Sequence, residues 1–64
     1  GSYTCEGHTV HFVINDDDTV DITEVTEMKV DRIGNTYTST RNVDIDEAIK
    51  IQQEFLKLGY DKIS

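Results

Sequence analysis

The sequence predicts an α+β fold in which a small three-stranded antiparallel β-meander is packed by one C-terminal α-helix, in the order βββα. Three observations lead to this prediction: alternating β-branched and aromatic residues along most of the chain, turn-forming residues between them, and one amphipathic segment near the C-terminus. A chain of 64 residues has room for one domain. We expect that domain to span residues 3–64, because Gly1 and Ser2 are typical of an expression-tag scar.

The first predicted strand covers residues 8–14. Its β-branched and aromatic side chains alternate, so that Val10, Phe12 and Ile14 share one face. The four residues that follow, Asn15 to Asp18, favour turns because their side chains bond to the local backbone. We therefore expect a hairpin at this point.

The second predicted strand covers residues 19–33. Its acidic side chains also recur at helical spacing, but eight of its fifteen residues are β-branched and fit a pleated surface better than a helix. Val20, Ile22 and Met28 then share one face. A strand with a twist or a bulge around Glu24 and Val25 is the interpretation that fits best.

The third predicted strand covers residues 36–42, and its threonine and tyrosine side chains favour a β-strand. We expect this strand to lie at an edge of the sheet. Gly34 and Asn35 precede it and resemble the two-residue connection of a tight hairpin, since glycine tolerates a positive φ. We expect the chain to reverse direction at these two residues.

The helix is predicted over residues 45–58. Asp44 and Glu47 have the spacing of a capping box, Gly59 is placed for a left-handed C-terminal cap, and Tyr60 is placed to fold back on the last turn. The residues at i, i+3 and i+4 spacing that should face the sheet are Ile45, Ala48, Ile49, Gln52, Phe55 and Leu56.

This order of elements is similar to that of the AP2-type plant domains and of the last part of double-stranded-RNA-binding domains. The similarity is one of topology only. Those modules place Lys and Arg where they meet phosphates, but this chain has Asp44, Asp46 and Glu47 at the helix start. We therefore expect no direct binding to nucleic acid.

The net charge of −7 is unevenly distributed along the chain. Residues 1–31 carry eight acidic residues and one basic residue, and residues 32–64 carry five of each. An acidic surface of this kind steers basic partners. The single cysteine excludes an internal disulfide, and no apolar run is long enough to cross a bilayer. These features predict a soluble, cytoplasmic protein with no membrane association.

The leading functional hypothesis is a non-enzymatic interaction or regulatory module that binds a protein partner with a basic surface. A more specific version is an inhibitor that occupies a nucleic-acid-binding site, as virus-encoded nucleic-acid mimics do. Same-face residues on a strand lie roughly 6.6 to 7 Å apart, a spacing that suits the imitation of successive phosphates. The candidate binding residues are Asp16, Asp17, Asp18, Asp21, Glu24, Glu27 and Asp31.

A second hypothesis is a metal-binding domain. Cys5, His8 and His11 have a C-x2-H-x2-H spacing, and thiolate and imidazole suit Zn²⁺, with Glu6 or a second chain completing the site. In a regular strand, however, His8 and His11 point to opposite faces because their separation is odd. Two half-exposed histidines and a partly buried thiol are the simpler interpretation.

A third hypothesis is a structural appendage of a larger assembly. Tyr37, Phe55 and Tyr60 would then form an apolar interface, although core packing explains them more simply. The chain carries no local signature of a catalytic triad, no phosphate-binding glycine-rich loop and no calcium-loop pattern after Asn15. We therefore expect neither an enzyme nor a bound cofactor.

Overall fold

The protein forms a five-stranded antiparallel sheet with one helix packed on one face. The computed structural model describes residues 1–30 and 33–63. The strand order across the sheet is β4-β3-β2-β1-β5. The elements are β1 (Ser2–Cys5), β2 (His8–Ile14), β3 (Thr19–Val30), β4 (Ile33–Asp44), α1 (Ile45–Lys57) and β5 (Asp61–Lys62).

The prediction of a three-stranded meander is wrong because two strands were missed. β1 pairs with β2 through a turn at Glu6 and Gly7, whose φ angles of 44° and 83° are both positive, as a tight hairpin of the primed type requires. β5 adds two residues to the other side of β1 after the helix. The strand number and order therefore differ from those of the three-strand modules named above.

The second strand is also more regular than predicted. β3 pairs with β2 without interruption from His8↔Thr26 to Ile14↔Val20, so the bulge expected at Glu24 and Val25 is absent from this ladder. The turn predicted after β2 is confirmed, with the amide of Asn15 donating to the carbonyl of Thr19 at 2.8 Å.

The expected turn at Gly34 and Asn35 is wrong, because both residues belong to β4. They pair with Lys29 and Met28 of β3, and the β3–β4 ladder continues to Val30↔Ile33. Residues 31 and 32, which separate β3 from β4 in the sequence and include the end of the predicted second strand, lie outside the described residues. β4 is correspondingly longer at both ends than the predicted segment 36–42.

The helix begins and ends close to the predicted residues. The Asp44 carboxylate accepts a hydrogen bond from the amide of Glu47 at 2.8 Å and caps the first turn. Gly59 has a φ of 94°, and the amide of Tyr60 donates to the carbonyl of Phe55, which is the Schellman arrangement. The chain after the helix is thereby directed back to β1. The described residues contain no helix long and apolar enough to cross a membrane.

The core lies between α1 and the face of the sheet that bears Val10 and Ile22, both fully buried. The prediction for the inner face of the helix is partly wrong. Ile51 is buried there, but Ile49 and Leu56 are about half exposed. The apolar stripe is narrower than the i, i+3, i+4 pattern suggested. The buried cluster consists of Val10, Val20, Ile22, Ala48 and Ile51, with Phe12, Val43, Ile45, Phe55 and Tyr60 packed against it.

Candidate functional site

The structure brings two acidic segments together at one end of the sheet. Thr19, the first residue of β3, pairs with Asp44, the last residue of β4. The turn before β3 and the first turn of α1 are therefore neighbours in space. We call this region the acidic end; it comprises Asp16, Asp17, Asp18, Asp21, Asp44, Asp46 and Glu47.

A hydrogen-bond network around Thr19 orders part of the acidic end. Asp17 accepts hydrogen bonds from the backbone amide of Thr19 at 3.2 Å and from its hydroxyl at 2.5 Å. The side-chain amide of Asn42 donates to the Thr19 hydroxyl at 3.0 Å and to the Asp21 carboxylate at 2.8 Å. The hydroxyl of Thr19 lowers the pKa of Asp17, so that carboxylate keeps its charge at lower pH than usual.

The helix start contributes the other carboxylates. Asp44 caps α1, and Asp46 and Glu47 lie in its first turn, where the positive end of the helix dipole favours negative charge. Within the described part of the chain, none of the seven carboxylates forms an ion pair. Arg41, three residues before Asp44, lies on the opposite face of the sheet from Asp21. Six of the seven carboxylates are therefore exposed to solvent, and that of Asp21 is partly buried.

The remaining predicted acidic residues lie elsewhere. Glu24 is on the face that packs against the helix, and its carboxylate lies 3.4 Å from Nε2 of His8. Glu27 is exposed on the opposite face, at the far end of β3, where its amide donates to the carbonyl of Gly7. Asp31 lies outside the described residues. Of the six described members of the predicted surface, Asp16, Asp17, Asp18 and Asp21 lie together, and Glu24 and Glu27 lie apart from them.

The structure does not gather the predicted metal ligands. Cys5 and His8 are cross-strand partners on the helix-facing side, but His11 lies on the open side and its Nδ1 is 2.6 Å from the Ser2 hydroxyl. Across residues 1–30 and 33–63, no three His, Cys, Asp or Glu side chains are close enough to hold a metal ion.

His8 instead links the C-terminal segment to the sheet, a role that the sequence reasoning missed. Its Nδ1 lies 2.5 Å from the Tyr60 hydroxyl, and the Tyr60 ring packs on Phe55 with centroids 4.8 Å apart. Burial raises the pKa of Tyr60, and the nearby charges of Cys5 and Glu24 add to the effect. The Schellman cap positions Tyr60 there, and Gly59 followed by Tyr60 was the feature of the sequence that indicated this cap.

A shallow cleft of about 150 Å³ lies between α1 and the sheet, beside the N-terminus. It is lined mainly by apolar side chains, among them Phe12, Ile14 and Ile49. Its polar side chains, Gln52 and Tyr3, hydrogen bond to each other. The cleft is smaller than typical small-molecule sites, and these two groups are already engaged.

Comparison of the chain with protein-family models, with curated proteins and with solved structures found no match in any of the three. The geometry of the described residues is therefore the basis for the functional argument. Among the features above, the acidic end is where the largest number of carboxylates lie on neighbouring elements. The protein is a small domain of two layers, one sheet and one helix, with carboxylates gathered at one end of the sheet.

Proposed function

We propose that this protein is a non-enzymatic interaction module, regulatory in character, that binds a basic surface of a protein partner through its acidic end. The observation that supports the proposal is the convergence of seven carboxylates from two separate segments, none of which forms an ion pair among the described residues. Three of them, Asp17, Asp21 and Asp44, have clear roles in the turn, the network or the cap. Asp46 and Glu47 lie where the helix dipole favours negative charge, and Asp16 and Asp18 add charge that these interactions do not require.

Electrostatics favours such a surface as a recognition element. Carboxylates that stand within about one Debye length of each other, roughly 10 Å at 0.1 M salt, repel each other and lower the stability of the free protein. A basic partner relieves this repulsion, and complementary charge raises the association rate and the specificity. The proposal thus explains why carboxylates that repel each other are gathered at this end of the sheet.

The same charge argues for a protein rather than a nucleic acid as partner. Phosphate backbones require Lys and Arg at the contact, but the acidic end presents carboxylates. A partner that itself binds nucleic acid has the required basic surface, so the protein would act there as an inhibitor. The cleft beside α1, small and without a free catalytic group among its lining residues, favours a binding role over an enzymatic one.

The test compares two variants that each lose four negative charges. The first carries Asp16→Asn, Asp18→Asn, Asp46→Asn and Glu47→Gln, which leave the turn, network and cap bonds in place. The partner is captured from the source cell or its host, and its Kd for each purified variant is measured by calorimetry. We expect the first variant to bind at least about tenfold more weakly than the unmodified chain, a loss of roughly 1.4 kcal/mol.

The matched control removes four exposed carboxylates from other places, namely Glu6, Glu27, Glu54 and Asp61, as the corresponding amides. It should keep most of the affinity, because its positions lie outside the acidic end. Equal weakening by both variants would show that only net charge matters. Binding that is unchanged between about 0.05 and about 0.3 M salt would also contradict the proposal.

A further inference from the structure

The two edges of the sheet differ greatly in length. One edge is β5, which has two residues, and the other is β4, which has twelve. Residues 34–42 of β4 are all exposed, and within the described residues no strand pairs with its outer side. β4 therefore presents a long row of backbone groups to solvent.

β4 also lacks the features that usually protect an edge strand. Its sequence contains neither proline nor lysine, and its register with β3 has no bulge. Arg41 and Asp44 are its only charged side chains. Such an edge is suited to pairing with another strand.

The hydrogen-bond pattern shows which residues of β4 face outward. The amide of Glu27 donates to Gly7, so the odd-numbered residues of β3 bond toward β2 and the even-numbered ones toward β4. Even-numbered β3 residues pair with odd-numbered β4 residues, as in Thr26↔Tyr37. The even-numbered residues of β4, from Gly34 to Asn42, therefore direct their N–H and C=O groups away from the sheet.

We propose that β4 pairs with β4 of a second copy of this chain, antiparallel about a two-fold axis at Ser39, to form a continuous ten-stranded sheet. Outward-facing residues then meet each other, with Thr38 opposite Thr40 of the second copy. On the helix-facing side Tyr37, 58% exposed in the single chain, lies opposite Arg41 of the second copy. A guanidinium against a tyrosine ring is a favourable cation–π contact, and the symmetry produces it twice.

The charge distribution is compatible with this partner despite the net charge of −7. Antiparallel pairing at Ser39 places Asp44 opposite residue 34 of the second copy. The two Asp44 residues are then ten positions apart, roughly 33 Å at the usual rise per strand residue. That distance is about three Debye lengths at 0.1 M salt, so the acidic ends do not repel each other appreciably. Both remain free for the partner proposed above, and the dimer is bivalent.

Sedimentation equilibrium of the full chain tests the pairing with a charge exchange. Tyr37→Lys sets a new lysine against Arg41 of the second copy and should raise the dimer Kd about tenfold or more. Adding Arg41→Glu in the same chain should restore the Kd to within about threefold of the original, because opposite charges face each other again. Positions 37 and 41 lie about 13 Å apart within one chain, so the rescue cannot arise there.

Leu58→Lys, an equal charge change at an exposed site away from β4, is the control and should leave the Kd unchanged. A chain that stays monomeric up to about 1 mM would overturn the proposal. So would a dimer whose Kd responds to Tyr37→Lys but is not rescued by Arg41→Glu. Binding of β4 to an unrelated strand, without any self-association, would overturn the proposal in the same way as a monomeric chain.

Discussion

The two ends of the β3–β4 hairpin share one continuous ladder but have very different surroundings. At one end Val20 and Ile22 are buried beneath α1 beside Ala48. At the other end the ladder extends past the last β2–β3 pair at Thr26, and Met28 is half exposed. The comparison shows that the helix-covered end contains the buried core and also carries the acidic end. The uncovered end contributes backbone and edge rather than core.

The strongest test of this contrast removes an apolar side chain from each end. Ile22→Ala leaves a cavity in the core and should lower the free energy of unfolding by about 2–4 kcal/mol, a large fraction of the stability of so small a domain. Met28→Ala removes a half-exposed side chain and should cost less than about 1 kcal/mol. Urea unfolding followed by circular dichroism measures both, and similar losses would mean that the uncovered end is packed as tightly as the core.

Substitutions of two glycines test the same comparison with smaller expected changes in the free energy of unfolding. Gly7 has a φ of 83°, and an added Cβ would lie 3.3 Å from the carbonyl oxygen of Glu27, so Gly7→Ala should destabilise the protein by about 1–2 kcal/mol. Gly34 lies within β4, and a Cβ added there would have no atom within 4 Å. Gly34→Ala should therefore stabilise the protein slightly, by about 0.4–1 kcal/mol.

The Gly34 result separates the observed register from the sequence-based expectation. A turn at Gly34 would require a positive φ there and would make the alanine variant less stable. Thermal unfolding of the two variants, measured side by side, distinguishes the two cases.

The parts of the fold that follow local rules were predictable. The strand at residues 8–14 has a clear alternation, and the helix has an N-terminal cap at Asp44 and a C-terminal glycine at Gly59. β1 and β5 were missed because four and two residues are too short to show a period. The Glu6-Gly7 turn could have indicated β1, although glutamate is unusual where φ is positive.

The acidic end was only half predictable for a related reason. The local sequence identified Asp16, Asp17, Asp18 and Asp21, but the approach of Asp44 depends on the register of β3 with β4. A reversal at Gly34 and Asn35 gives a different register, so the turn error hid the contact between Thr19 and Asp44. A shift in register changes every cross-strand neighbour of a hairpin.

The last expected effect depends on pH and concerns the junction between the sheet and the C-terminal segment. The pKa of Tyr60 is raised in the folded protein, so the unfolded chain loses its phenol proton first as the pH rises. This contribution to stability is complete below about pH 10 and is lost progressively above it. Tyr60→Phe should cost about 1 kcal/mol at neutral pH by removing the hydrogen bond to His8.

The same variant should flatten the alkaline fall in stability, which urea unfolding between about pH 8 and about pH 11 measures. Phe55→Leu, a neighbour without an ionisable group, is the control and should keep the slope. An unchanged slope in Tyr60→Phe would mean that Tyr60 ionises equally in both states.

The most direct test of the central claim is a ¹H–¹⁵N NMR titration of the intact chain with an oligolysine peptide at low salt. If the acidic end is the recognition surface, amide shifts should concentrate at residues 15–21 and 44–48 and disappear as salt is added. They should be small near the exposed carboxylates of Glu6, Glu54 and Asp61. Shifts of equal size at all of these carboxylates would contradict the account, because the protein would then be uniformly acidic rather than polarised.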